Sequence, residues 1–130
     1  MITLDTNLLV RLLLRDDARQ HALVRQLLEQ PRDFTAPVTV MLELVWVLEV
    51  NDCSVDDIVQ GLTLLLGLPH FKPAHPEALR QALQWYRQGM DFADALHLAS
   101  SRASEKVSTF DKAFASKAAR LGATPRVVAL

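Results

Sequence analysis

Cysteine is almost absent: Cys53 is the only one in 130 residues. No intrachain disulfide can form, and a reducing, cytoplasmic setting is expected. Neither sign of charge is in excess. Fourteen Lys and Arg stand against fifteen Asp and Glu, a formal net charge of −1. The chain therefore lacks the basic run on which a module binding RNA through phosphate contacts alone would depend. A nucleic-acid enzyme is still allowed: with four acids neutralised by a cation, 14 basic groups face 11 acids, a balance of +3. Uninterrupted hydrophobic runs are also missing. The longest apolar stretches carry charges such as Glu43 and Glu49, so no membrane span is expected. The start of the chain has no basic region followed by a long apolar one, so no signal peptide is expected. There is no repeat, low-complexity tract or linker, and the length predicts one domain over 1–130.

Several chemistries are excluded by missing motifs. There is no phosphate-cradling Walker loop, no dinucleotide fingerprint, and no Ser or Cys nucleophile signature. Asp5-Thr6-Asn7 lacks the second aspartate that a phosphoaspartyl phosphatase places two residues on. The acidic pair and central phosphoacceptor of a receiver domain are not present either.

What the chain does have is apolar residues, half of the total, arranged in alternating periods. Ile2 to Leu4 reads as a buried strand ending at Asp5, and Thr6 to Arg15 as a helix with Leu8, Leu9, Leu12 and Leu13 on one stripe. Asp16-Asp17 interrupts it and supplies an N-cap. A second helix, Ala18 to Gln30, directs Ala22, Leu23, Leu27 and Leu28 inward and stops at Pro31. Residues 33–37 form a short strand. Val38 to Val50 is a helix apolar nearly all round, with Glu43 inside it. Ser54 caps Val55 to Leu66, whose first turn is acidic, and Gly67 and Pro69 end it. Residues 70–73 make a brief strand, and Pro76 opens a helix to about Gln88. Asp91 precedes a helix over Phe92 to Ala103. Val107 to Phe110 is a strand, Lys112 to Arg120 a helix capped by Gly122, and Arg126 to Leu130 a last strand. Strands alternating with helices predict an α/β fold, a three-layer sandwich around a central, mostly parallel sheet with right-handed crossovers.

Four acids stand out by position. Asp5 and Asp111 each follow a strand and precede a helix, at the sheet edge where open α/β folds bind ligands. Glu43 and Asp94 lie near the starts of helices that emerge from that edge. All-oxygen donors suit Mg²⁺ or Mn²⁺, which activate water against a phosphodiester. Each acid also has a structural reading. Asp5, Asp91 and Asp111 are placed to be N-caps, and Asp94 would be favourable in a first helical turn on electrostatic grounds alone. Glu43, set among Val40, Leu44 and Val47, reads as a buried carboxylate that requires a partner or a metal. His97 shares a face with Asp94 and reads as packed or capping, while His21, His70 and His75 have no ligand spacing.

Leu4-Asp5-Thr6-Asn7, Leu42-Glu43-Leu44, the run Asp91-Phe92-Ala93-Asp94-Ala95-Leu96-His97-Leu98-Ala99, and Ser108-Thr109-Phe110-Asp111-Lys112 together resemble a PIN domain. The likeness spans the whole chain and is nearest to the VapC-type toxin ribonucleases of toxin–antitoxin modules. It implies a metal-dependent endoribonuclease in which Asp5, Glu43, Asp94 and Asp111 hold Mg²⁺ or Mn²⁺. Asp91 matches a position that is often acidic, and Thr6 or Asn7 and Thr109 match polar positions that orient ligands or water. The resemblance further implies a homodimer, inhibited by a cognate antitoxin protein that covers the site. The apolar helices Val38 to Val50 and Ile58 to Leu66 also favour a two-fold dimer plus an antitoxin site. Arg11, Arg15 and Lys112 flank the acids in sequence and are the candidate contacts to RNA phosphates. The alternative is a catalytically silent PIN-like module that binds RNA or a protein.

Overall fold

A computed structural model describes residues 1–130, which form two compact units, Met1–Pro76 and Glu77–Leu130. The class is the expected one, α/β with parallel strand pairing and seven helices. Hydrogen bonding divides the strands into two separate parallel pairs, one in each unit.

In the first unit β1 (Ile2–Thr3) pairs with β2 (Phe34–Thr35), Ile2 opposite Phe34 and Thr3 opposite Thr35. The Leu4 N–H extends the ladder to the Thr35 carbonyl at 2.8 Å. On its other side β2 meets a single parallel bridge at Phe71, with the Lys72 N–H donating to the Phe34 carbonyl at 2.7 Å. Phe34, flanked on both sides, is buried. The crossover from β1 to β2 holds α1 (Thr6–Leu14) and α2 (Ala18–Leu28); a parallel pair needs a connection of this length. Arg15 ends α1 in the left-handed conformation at φ 55°. Asp17 then caps α2 by accepting from the Gln20 N–H at 3.0 Å.

Two burial expectations are corrected here. In α2 only Val24 is buried, while Ala22 is exposed and Leu23 is 54% exposed. The second correction concerns α3 (Val38–Val50). Met41, Leu44, Val45 and Leu48 are buried, and Glu43, Trp46 and Val50 are exposed. At 3.6 residues per turn these sets lie on opposite faces. Because α3 is apolar on both faces, composition cannot show which one faces the core, and Glu43 falls on the solvent side. α1 packs on α2 and α3, and α3 packs on α4 (Val55–Leu66), whose Ser54 cap accepts from the Asp57 N–H at 3.1 Å.

In the second unit α5 (Pro76–Arg87) buries Leu79, Leu83, Trp85 and Tyr86. Tyr86 meets Phe92 edge-on, with centroids 5.5 Å apart. α6 (Phe92–Ala99) stops four residues short of the expected end. The Ser101 hydroxyl donates to the His97 carbonyl at 2.7 Å, a local bond that competes with further helical turns. β3 (Lys106–Thr109), α7 (Lys112–Leu121) and β4 (Arg126–Ala129) form a parallel βαβ unit in which α7 packs on β4. Phe110 is excluded from β3 and forms a bend. Gly122 ends α7 at φ 64°, where a left-handed residue lets its N–H reach the Ala118 and Ala119 carbonyls.

Candidate functional site

Asp5 stands at the N-cap position of α1 with extended backbone, yet its side chain accepts nothing from the helix. Its carboxylate is exposed and therefore available for other work. Thr6 behind it is 4% exposed, and its hydroxyl has no hydrogen-bond partner. A buried polar group left unpaired costs about 1–3 kcal/mol, so such an atom marks a place for water or a ligand. Asp5, Asn7 and Arg11 line one cleft of about 280 Å³ with Leu8, Gln20, Leu23 and Val24. One Arg11 guanidinium nitrogen lies 2.7 Å from both Asp16 oxygens. That bond raises the Arg11 pKa and holds the Asp16 carboxyl below its usual range. That bond uses one guanidinium nitrogen, and the group carries further donors. Arg15, next to it in the α1–α2 turn, is exposed, as is Glu43 on the solvent face of α3.

The second unit gathers the other acids. Asp91 caps α6, accepting from the Asp94 N–H at 3.1 Å, as its position in the sequence predicts. Asp111 caps α7, accepting from the Phe114 N–H at 3.0 Å. Its own N–H donates to the Thr109 hydroxyl at 3.0 Å, which fixes the turn out of β3. Asp94 has no capping duty. Burial pushes its carboxyl above the usual range, and the nearby charges of Asp91 and Asp111 push it further, with His97 opposing them. Burial and two neighbouring carboxylates of the same unit thus both oppose ionisation of Asp94. Lys112 follows at the exposed start of α7.

No group of three or more His, Cys, Asp or Glu side chains stands close enough to form a ready metal cage. The donor set still fits Mg²⁺ or Mn²⁺ in kind. These ions take oxygen ligands, keep several of their waters, and are held by as few as one or two carboxylates. A cation beside Asp94 would relieve the repulsion there. Phe110, expected as the last residue of a strand, instead lies in a bend just beyond β3. Its exposure of 83% is a tertiary property that an apolar residue after a strand does not reveal.

No helix is long and apolar enough to cross a membrane. No curated protein matches the chain. The PIN domain family matches residues 2–120, and the chain belongs to that family.

Proposed function

We propose that this protein is a metal-dependent endoribonuclease and the toxin of a toxin–antitoxin module. PIN domains are typically nucleases, and commonly metal-dependent ones. The observation that carries the reading is Asp94, a partly buried first-turn carboxylate that does not cap its helix and is held among like charges. Proteins keep such strain mainly at functional sites.

In this reading the two compact units act as one PIN domain over 1–130. Asp5, Glu43, Asp94 and Asp111 hold Mg²⁺ or Mn²⁺, directly or through water. A divalent cation, when bound, supplies the Lewis acidity that activates water and offsets charge on the phosphodiester. The chain's own residues do the rest. Asp91 fixes the start of α6, and with it the Asp94 backbone, through its cap. Thr109 and the Asp111 cap hold the turn from which that carboxylate projects. The Thr6 hydroxyl orients water beside Asp5. Arg11, Arg15 and Lys112 draw RNA phosphates, and no side chain acts as nucleophile.

The same reading takes the protein as a cytoplasmic homodimer bound by a cognate antitoxin. A groove of about 390 Å³ in the first unit, lined by residues such as Leu12, Leu28, Leu64 and Leu68, supports this reading as a seat for an apolar antitoxin segment. Trp46 and Val50 are exposed on α3 and available to a second copy.

The test is cleavage of cellular RNA by purified protein with Mn²⁺ or Mg²⁺ and with chelator. Metal-dependent cleavage is expected, and Asp5→Asn should lose both that activity and part of the metal-induced rise in melting temperature. Intact RNA under both conditions would favour the silent binding module instead.

A further inference from the structure

Phe110 is the most exposed large apolar residue of the chain. Single apolar residues on a surface are ordinary, so exposure alone means little. Its setting is what distinguishes it. Phe110 immediately precedes Asp111 and lies two residues before Lys112. The backbone on both sides of it is pinned. Thr109 pairs with Ala129 across β3 and β4, and its carbonyl accepts from the Leu130 N–H at 2.8 Å. Asp111 is tied to the Thr109 hydroxyl and to the Phe114 N–H. The ring is thus carried on a turn with little freedom left to lose, a condition for tight binding by a small contact. The other large exposed apolar side chain in this unit is Leu130. Two such residues make too small a patch for a protein interface, which needs roughly 800 Å² on each partner. They match a single nucleobase.

We propose that Phe110 is a stacking platform for a base of single-stranded RNA, and so positions the adjoining phosphate toward Asp111 and Asp94. Every base has a π-face, so the contact is tolerant of sequence and works only on unpaired RNA, whose bases are free to splay out. Lys112 takes the phosphate charge and Phe110 takes the base. That division gives affinity to a chain whose formal net charge is −1. The inference deepens the nuclease reading and rests on it for its substrate.

The test is fluorescence anisotropy of a short dye-labelled oligoadenylate with Asp94→Asn protein, in which the RNA stays intact. Adding Phe110→Ala should weaken binding by about 5- to 150-fold, the usual loss for one stacked base. Phe110→Trp should bind as tightly as Phe, and Phe110→Leu should fall near the alanine variant, because the ring face rather than apolar area is what counts. In the otherwise wild-type protein Phe110→Ala should raise KM for single-stranded RNA by a similar factor. Equal binding by the Phe and Ala proteins would overturn the inference, as would a shift from dimer to monomer on Phe110→Ala, which would assign the ring to a second copy of the chain. Binding is read without cleavage. Ring-dependent binding without metal-dependent cleavage would therefore sink the nuclease reading alone, and cleavage with ring-independent binding would sink this inference alone.

Discussion

At the scale of single residues, Asp91 and Asp94 divide the labour of one helix start. The Asp91 carboxylate caps the helix, and the Asp94 carboxylate, one turn in, does not. The Asp94 carboxyl is raised above its ordinary value, so the native state holds more protons than the unfolded chain. Its ionisation therefore costs stability as pH rises from the unfolded pKa through the raised one. Asp94→Asn removes that cost. In chelator at neutral pH it should melt at or above wild type by thermal denaturation, with a flatter pH dependence above the ordinary aspartate range, and it should not cleave RNA. Asp91→Asn keeps a capping side chain and should retain much of the cleavage. Equal loss of cleavage from both would refute the division. The sequence allowed Asp91 and Asp111 to be read as caps because N-caps are chosen locally, by a short polar side chain before an apolar-periodic run. It could not show that Asp5 declines the same duty, which depends on side-chain rotamer. The exposure of Glu43 was equally hidden, because α3 is apolar on both its faces.

At the scale of elements, two glycines in helical settings have opposite uses. Gly122 ends α7 in the left-handed conformation, and a Cβ there would meet nothing within 4 Å. Gly122→Ala should therefore cost only the backbone strain of that conformation, about 1 kcal/mol, and Gly122→Asn less. Gly61 lies inside α4, and a Cβ there would touch the Leu13 methyls at 3.7 Å, an ordinary contact. Gly61→Ala should stabilise by about 0.5–1 kcal/mol through helix propensity. Urea denaturation of the two variants gives both signs in one experiment. Local chemistry of this kind explains why α3 and α4 begin and end where the sequence places them. α6 does not: past Ala99 the Ser101 N–H turns to the Leu98 carbonyl, three residues back, and the helix ends four residues before the apolar pattern does. The pairing of strands was legible only in part. Their parallel sense follows from the helical connections, but their division into two pairs follows from which edges meet in space.

At the scale of the whole molecule, a net charge of −1 constrains how RNA is held. If Arg11, Arg15 and Lys112 make the three proposed phosphate contacts, log affinity against log salt should have a slope of about −2, using ~0.7 per contact for single strands. Titrations at several salt concentrations measure it, and a much steeper slope would require basic contacts beyond these three. The two tryptophans fall one to each compact unit and differ in surroundings: Trp46 on α3 is 62% exposed, and Trp85 in α5 is buried. The molecule thus carries its own pair of optical labels. In a single copy of the chain Trp46 faces solvent, one helical turn from Glu43, and Trp85 is buried, so loss of Trp46 quenching with rising concentration would report the dimer. Quenching by iodide singles out the first, and the red shift on denaturation reports the second. Melting of each unit, and events at the Glu43 face, can be followed by colour without attaching a dye.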